Sequence, residues 1–248
     1  MERDDPNASE VLLTEHVGNV LVLTLNRPQV RNALNPELKD ALLGALAAAD
    51  SDTDVRAVVL TGNGPIFCAG MDLKAFAAGA SFGGLTSFYA EGVAKPVIAA
   101  LNGSALGGGF ELALACDLVV AGQDVKLGMP EVKRGLYAAG GGTTLSARIP
   151  LALALEMGLT GDPITASRAR EIGLVNRVVP ADRVLPEAIE LAERIAANGP
   201  LGVAITKKLM RERRWGEPGE TAAVFRSADA MEGARAFAER RTPVWTGK

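Results

Sequence analysis

Apolar and polar positions follow two different patterns along the chain. In the first half, four short apolar runs end in turn signals, at residues 20–28, 55–64, 96–103 and 117–122. Such runs are typical of buried strands. Between the first two lies Asn35-Pro36, followed by apolar residues at helical spacing, which predicts a helix with an N-cap and an early proline. Strands separated by helices indicate largely parallel pairing, so this half predicts an α/β fold.

The second half has a helical pattern instead. Beyond about residue 145 the strand signal fades. Alanine-rich segments with one charged face then follow, and they suit helices that pack on a sheet or on a neighbouring subunit. These predicted helices cover residues 150–159, 165–172, 184–197, 200–212 and 221–239.

Composition narrows the class of protein. Of the 248 residues, 48% are hydrophobic and 22% are charged, which is typical of a globular chain with a full core. The net charge of -3 offers no surface for a polyanion, so we expect no nucleic-acid partner. No apolar run reaches membrane-spanning length, and the polar, acidic start does not match a signal peptide. We therefore expect a cytoplasmic protein with no membrane partner. Cys68 and Cys116 match no metal spacing and are expected to stay as thiols.

Three consecutive glycines precede a single glutamate in SALGGGFELALACDLVV, residues 104–120. If a helix begins there, its first turn presents free backbone N–H groups that could bind an oxyanion. Glu111 lies three residues after Gly108, on the same helix face. Taken alone, Glu111 also fits the common acidic residue that complements a helix dipole.

A second carboxylate changes that balance. Glu131 follows a proline in GMPEVKRGL, after a strand-like piece that begins near Lys126. By itself it would be an ordinary loop charge. Two glutamates in apolar, glycine-bearing surroundings are suited to acid–base chemistry, because burial and mutual repulsion can separate their pKa values.

A third segment, GPIFCAGMDLKAF, could supply another backbone donor. Asp72 is placed to cap a following helix, and by itself the segment fits an ordinary capped helix. The N–H of Met71 could also lie opposite that of Gly108, and two amides are the usual minimum for holding an enolate oxygen.

These segments together resemble the enoyl-CoA hydratase/isomerase, or crotonase, superfamily. The similarity runs in order from about residue 10 to the C-terminus. It implies a crotonase-like spiral of strand–strand–helix repeats over residues 1–195, a C-terminal helical trimerisation region over residues 196–248, and a trimer or dimer of trimers. The pieces that carry it are NRPQVRNALN, FCAGMDL, KPVIAALNGSALGGGFELALACDLVVA, LGMPEVKRGL, GGGTTLSARI, LTGDPITASRAREIGLVNRVVP and SADAMEGARAFAERRTPVWTGK.

The resemblance also implies a site and a substrate. The family's oxyanion amides fall on Met71 and Gly108, and the two hydratase glutamates on Glu111 and Glu131. The substrate would be an acyl-CoA thioester, with no metal and no cofactor beyond the coenzyme A that it carries. Arg31 would face a phosphate, although a solvated arginine is equally consistent. The residues implied along the coenzyme A path are Arg31, Ala33, Ala69, Gly70, Asp72 and Leu73.

The implied acyl pocket differs from that of many relatives. The segment between Asp72 and Lys95, which would roof it and includes Phe76, looks shorter and richer in glycine. Tyr137 and Ala138 stand where short-chain hydratases usually have small aliphatic residues and a proline. Tyr137 could narrow the pocket or donate a hydrogen bond, or it could be a core aromatic that does neither.

Three other functions compete with a hydratase. A serine hydrolase needs a base, and the single histidine, His16, lies in a strand-like segment far from any glycine turn, which argues against that class. An isomerase acting on an acyl-CoA can work with one carboxylate, so a retained Glu111 favours a hydratase. A non-catalytic acyl-CoA-binding protein would keep the glycines for ligand and the glutamates for packing.

Overall fold

The computed structural model describes residues 10–81 and 83–248. Most of the polar start, on which the expectation of no signal peptide depends, lies outside the described residues, and so does Phe82 of the predicted pocket roof. The strands of the described part are β1 (Leu12–Val17), β2 (Val20–Leu25), β3 (Ala57–Gly62), β4 (Ile66–Cys68), β5 (Val97–Leu101), β6 (Ser104–Leu106), β7 (Leu118–Gly122), β8 (Lys126–Gly128), β9 (Ile164–Thr165) and β10 (Arg177–Val179).

The helices connect these strands and then form the C-terminal part of the chain. Short 3-10 helices add to them, and one of these, Pro130–Arg134, carries Glu131. The α-helices of the described part are α1 (Pro36–Ser51), α2 (Leu73–Ala77), α3 (Leu85–Glu91), α4 (Gly108–Ala115), α5 (Leu151–Thr160), α6 (Ala166–Glu171), α7 (Val184–Ala196), α8 (Pro200–Glu212), α9 (Pro218–Phe225) and α10 (Ala228–Glu239).

The strands alternate between two sheets. The larger sheet has the order β1-β2-β3-β5-β7-β10, and the smaller has the order β4-β6-β8-β9. Pairing is parallel throughout, except that β1 is antiparallel to β2 and β9 is antiparallel to β8. Each successive turn of chain thus adds one strand to each sheet, which is the predicted spiral of strand–strand–helix repeats.

The inner strands of the larger sheet are buried on both faces, which explains their continuous apolar runs. All six residues of β3 are buried. Val59 faces a core formed with Ala188 and Ala192 of α7, whereas its neighbour Leu60 faces the core shared with Leu42 of α1. Because successive side chains of a strand point to opposite faces of the sheet, β3 contributes to two separate cores. The four predicted strands and the helix after Asn35 are confirmed, and the Asn35 side chain accepts a hydrogen bond from the N–H of Leu38.

Two details of the predicted second half are wrong. The predicted helix over residues 221–239 is in fact two helices, α9 and α10. Ser227 interrupts it because its side chain caps α10 by accepting a hydrogen bond from the N–H of Ala230. Strands also continue beyond residue 145, because β9 and β10 each pair with a strand of a sheet.

The C-terminal part is fastened to the rest of the chain by polar contacts. Asp117, at the start of β7, forms ion pairs with Lys207 at 2.6 Å and with Arg211 at 2.8 Å, both on α8. The C-terminal tail folds back on the N-terminal end of α10, where Asp229 accepts hydrogen bonds from the N–H groups of Thr246 and Gly247. A cavity of about 800 Å³ lies between α8, α10 and the larger sheet.

The described residues contain neither a membrane-spanning helix nor a cluster of metal-binding side chains. Among them, no helix has the length and apolar character needed to cross a membrane. Nor do residues 10–81 and 83–248 contain a group of three or more His, Cys, Asp or Glu side chains that could hold a metal ion.

Candidate active site

The amide groups of Met71 and Gly108 lie side by side. Gly108 is the first residue of α4, and Met71 forms an isolated β-bridge with Leu34. The nitrogen of Met71 lies 3.5 Å from the point that a Cβ atom at Gly108 would occupy. Among the hydrogen bonds of the described residues, none has either of these N–H groups as its donor. Both amides are therefore free to bind an oxygen atom at the N-terminal end of a helix.

Glu111 lies one helical turn further along α4 and is buried, with 6% of its surface exposed. Its Oε1 atom accepts a hydrogen bond of 2.9 Å from the N–H of Gly142. The second oxygen, Oε2, lies 2.7 Å from the point that a Cβ atom at Gly140 would occupy. The carboxylate is thus held against a loop of glycines. Any side chain at Gly140 would collide with it.

Glu131 approaches the same helix end from another turn of the chain. Its Oε1 atom lies 3.1 Å from the point that a Cβ atom at Gly107 would occupy, and Gly107, with φ of 55°, is the N-cap of α4. The N–H of Gly107 donates to the carbonyl of Gly128 at the end of β8, so β8 and α4 are joined beside the site. The other oxygen of Glu131, Oε2, is buried and has no hydrogen-bond partner within the described residues.

Both carboxyl groups have raised pKa values. Burial is the main cause for Glu111, and the charge of Glu131 adds to it, while the backbone N–H groups of Gly142 and Gly140 lower the pKa. Burial also raises the pKa of Glu131, partly opposed by its own backbone N–H and by Arg134. Protons are therefore held more tightly here than on ordinary glutamates, which suits groups that give and take protons.

The residues predicted along the coenzyme A path lie in two adjoining segments. The N–H of Ala69 donates to the carbonyl of Arg31, and the N–H of Asp72 donates to the carbonyl of Leu34. Ala33 is half-buried, the backbone of Gly70 has φ of 98°, and Leu73 is exposed. The Arg31 side chain points into solvent and forms no ion pair in the described part of the chain.

Asp72 caps α2, as predicted, by accepting hydrogen bonds from the N–H groups of Lys74 and Ala75. Its other oxygen pairs with Arg27 at 3.3 Å. Burial raises the pKa of Asp72, but these hydrogen bonds and the Arg27 charge outweigh it and leave the pKa below its ordinary value. Arg27 also donates to the carbonyl of Ala33, so it joins the two segments. Sequence reasoning missed it, although the Asn-Arg-Pro motif that contains it was noted.

The predicted acyl-pocket residues differ in their surroundings. Phe76 is 46% exposed and Tyr137 is 69% exposed, so the alternative that Tyr137 is a core aromatic is wrong. Ala138 is buried, and its Cβ atom lies 2.4 Å from the point that a Cβ atom at Gly142 would occupy. Ala138 therefore supports the glycine loop that contacts Glu111.

The family model described as "Enoyl-CoA hydratase/isomerase" matches residues 15–248 of this chain. The chain belongs to this family. Enoyl-CoA hydratase EchA19 of Mycobacterium tuberculosis is 41% identical, and the alignment covers 93% of this chain and 94% of that protein. The 2,3-dehydroadipyl-CoA hydratase of Escherichia coli is 38% identical, with 96% and 99% covered.

A solved structure agrees with this assignment. The crystal structure of an enoyl-CoA hydratase from Mycobacterium tuberculosis H37Rv superimposes with a TM-score of 0.89 at 47% identity, covering 96% of this chain and all of that one. The predicted family and the predicted crotonase fold are thereby confirmed.

Sequence reasoning missed two features beside the carboxylates. The Gly140–Gly142 loop enters the sequence analysis only as part of the family resemblance, yet it contacts Glu111. Three glycines in a row were the available signal. Tyr89 of α3 falls in the predicted pocket roof without being singled out there, and its ring lies against this loop. A tyrosine in a short amphipathic helix carries no signal of its own.

Proposed function

We propose that this protein is an enoyl-CoA hydratase, which adds water across the 2,3 double bond of a 2-enoyl-CoA thioester. The observation that carries the proposal is the arrangement at the start of α4, where two free amide donors lie beside the buried carboxyl group of Glu111 and the half-buried one of Glu131, both with raised pKa values. The hydratase names of the similar proteins support it. The only coenzyme required is the coenzyme A of the substrate itself.

The amides of Met71 and Gly108 would bind the thioester oxygen. When water attacks C3, the electrons of the double bond move toward that oxygen and form an enolate. Donors fixed beforehand stabilise the enolate more than the neutral thioester, because the charge appears only as the reaction proceeds. The N-terminal end of α4 adds its dipole to this effect.

The two glutamates would divide the proton transfers. Ionised Glu111 holds the water and takes one proton as the oxygen bonds to C3, while protonated Glu131 gives its proton to C2. At the end of the cycle Glu111 is protonated and Glu131 is ionised. Proton transfer between the two groups, or exchange with solvent, restores the starting state. Because the two carboxyl groups interact, their apparent pKa values describe the pair and not either residue alone.

Isomerisation of an acyl-CoA double bond is the alternative within the family. That reaction moves a proton between two carbons, adds no water, and can use one carboxylate. The burial of Glu111 and its hydrogen bond to Gly142 favour hydration, because a buried acid in addition to Glu131 is costly to keep unless it has a task.

The coenzyme A part of the substrate would lie along the joined segments that carry Arg31, Ala33, Ala69, Gly70, Asp72 and Leu73. Backbone groups would supply most of the contacts, since the Asp72 side chain is already paired with Arg27. The exposed Arg31 guanidinium would meet a phosphate of the coenzyme A. Phe76, Tyr137 and Ala138 would border the acyl chain.

The proposed assembly is a homo-oligomer, a trimer or a dimer of trimers, built through the region over residues 196–248. Its support is the number of exposed aromatic side chains in this region, with Trp215 94%, Phe225 75% and Phe237 87% exposed. We also propose a cytoplasmic location, which suits the two buried free cysteines.

The test is hydration of crotonyl-CoA and of longer 2-enoyl-CoAs, followed by loss of the conjugated thioester absorbance. Wild-type protein is expected to be active with at least one of them. Glu111→Gln is expected to lower kcat by roughly two to four orders of magnitude with little change in binding, as for loss of an acid–base group. An unchanged rate would remove Glu111 from the mechanism.

A surface variant serves as the control. Glu193→Gln makes the same chemical change at an exposed position of α7 and is expected to keep the wild-type rate. A wild-type protein that binds acyl-CoA esters but hydrates none of them would favour the non-catalytic binding protein. One that moves the double bond without adding water would favour the isomerase.

A further inference from the structure

Tyr89 brings a third polar group to the two glutamates. It lies on α3, and its ring reaches the glycine loop beside Glu111. The ring atom Cε2, which is next to the carbon that bears the hydroxyl, lies 2.4 Å from the point that a Cβ atom at Gly140 would occupy. Oε2 of Glu111 lies 2.7 Å from that same point. The phenol and the carboxylate therefore border one small volume.

The electrostatics agree with this placement. The pKa of Tyr89 is raised well above its ordinary value by burial first, then by the negative charges of Glu111 and Glu131. The phenol therefore stays neutral and keeps its proton, so it can act only as a hydrogen-bond donor or acceptor and not as an anion.

Within residues 10–81 and 83–248, the Tyr89 hydroxyl forms no hydrogen bond. Packing alone would be served as well by phenylalanine, which is what the chain has at the preceding position, Phe88, with 3% of its surface exposed. A half-buried phenol that no described residue pairs with, beside the carboxylate of Glu111, is a donor for something that is not protein.

We propose that the Tyr89 hydroxyl donates a hydrogen bond to the oxygen atom that is added to C3, both in the attacking water and in the hydroxyl product. This inference rests on the proposed hydratase function. A water molecule has two protons and two lone pairs. Glu111 and the unpaired Oε2 of Glu131 would accept the protons, Tyr89 would donate to one lone pair, and the other would face C3.

In this arrangement Tyr89 orients the water and transfers no proton. The only bonds that change are those already described for the two glutamates, so the proton balance of the reaction is unaltered. Loss of the hydroxyl should leave a water that can rotate, which lowers the rate of attack but leaves the binding of the thioester almost unchanged.

The test compares two reactions of one site. Hydration needs the oxygen at C3. Exchange of the C2 hydrogens of butanoyl-CoA with deuterated water needs only the enolate, the two amides and a base. For Tyr89→Phe we expect kcat of hydration to fall about tenfold, in line with loss of one hydrogen bond, with KM changed less than about twofold. The exchange rate should stay at the wild-type value.

Phe88→Leu is the packing control. It loosens α3 without removing a hydroxyl, so the midpoint of thermal unfolding should fall while the ratio of hydration to exchange stays at the wild-type value. A Tyr89→Phe protein with unchanged hydration would overturn the inference. Parallel loss of both rates would also overturn it, because the role of Tyr89 would then be structural. A wild-type protein that exchanges C2 hydrogens without hydrating any substrate would refute the hydratase function itself.

Discussion

Glu111 occupies a position that disfavours its own charge. Its side chain is buried on α4, its pKa is raised, and the charge of Glu131 acts against it. One hydrogen bond from Gly142 offsets part of this cost. Buried groups that raise the energy of the folded state are common at functional sites, because their reactivity and their instability have the same origin.

The effect on stability should therefore depend on pH. A carboxyl group whose pKa is raised by folding lowers stability above that pKa, because the folded state then holds a charge that the unfolded state bears more easily. Glu111→Gln removes the charge and can keep the hydrogen bond to Gly142. We expect its free energy of unfolding to exceed that of wild type by about 1 kcal/mol at pH 8.

Urea unfolding at several pH values measures this. The gain should shrink as the pH falls through the raised pKa and vanish below about pH 4, where the free side chain is itself protonated. Glu193→Gln, at an exposed site, should show no gain at any pH. A gain that is constant with pH would mean that packing, not charge, causes it.

At the scale of single elements, α4 is held at both ends. Its N-terminal end carries the free amide of Gly108. Its C-terminal carbonyls at Ala115 and Cys116 accept hydrogen bonds from Arg211 and Arg148, respectively. Cations at this end also complement the helix dipole. The helix that carries the candidate chemistry is therefore fixed in part by a residue of the C-terminal region.

Asp117 is the residue that joins these elements. Its carboxylate pairs with Lys207 and Arg211 and accepts a hydrogen bond from the N–H of Val97. Asp117→Asn would leave two cations without their partner, Lys207 among them largely buried. We expect the free energy of unfolding to fall by about 2 kcal/mol. This loss is smaller than for a fully buried ion pair, because some solvent reaches the side chains around Asp117.

Chemical denaturation with a surface control checks this value. Glu171→Gln breaks the exposed pair with Arg168 and should change stability by less than about 0.5 kcal/mol. Equal effects of the two substitutions would show that Asp117 does not fasten α8 to the larger sheet.

The sequence pattern was informative where an element was long or capped. The strands buried on both faces and the helix after Asn35 were predictable, because continuous apolar runs and an N-cap have clear physical causes. The three-residue β10 was missed because it begins with Arg177 and depends on pairing with β7, which is a tertiary contact. The break at Ser227 was missed because alanine-rich sequence continues on both sides of the cap.

At the scale of the whole molecule, the C-terminal helices expose large aromatic side chains. Phe225 of α9 and Phe237 of α10 are mostly exposed, as is Trp215 between α8 and α9. Where such side chains form a contiguous apolar patch, the patch marks a surface that associates. These side chains are the physical basis for the proposed oligomer.

Charged substitutions there should break the assembly. For the double variant Phe225→Glu and Phe237→Glu, we expect the mass measured by light scattering after size exclusion to fall from that of a trimer or hexamer to that of the 25.7 kDa monomer. Ala47→Glu, on the exposed side of α1, places a charge elsewhere and should leave the mass unchanged. A double variant that keeps the wild-type mass would place the interface elsewhere.

The candidate site was predictable in part. Glu111 and Gly108 were noticed because three glycines precede a glutamate in an apolar stretch, and Met71 because its segment could supply a second backbone donor. Tyr89 and the loop over residues 140–142 were not. They approach Glu111 only because the spiral brings a later turn and a roof helix beside α4, and no local pattern encodes that approach.

The contacts of Asp117 also bear on how the chain can be divided. A fragment that stopped at Ala196 would retain both sheets and both glutamates but would lack Lys207 and Arg211. It would expose a bare carboxylate and the unpaired carbonyl of Ala115 at the far end of the helix that carries Gly108. Removing the residues after Ala196 would thus disturb the N-terminal end of α4, where the amide of Gly108 lies, because the far end of the same helix loses its contacts. No residue at the N-terminal end of α4 would have been removed.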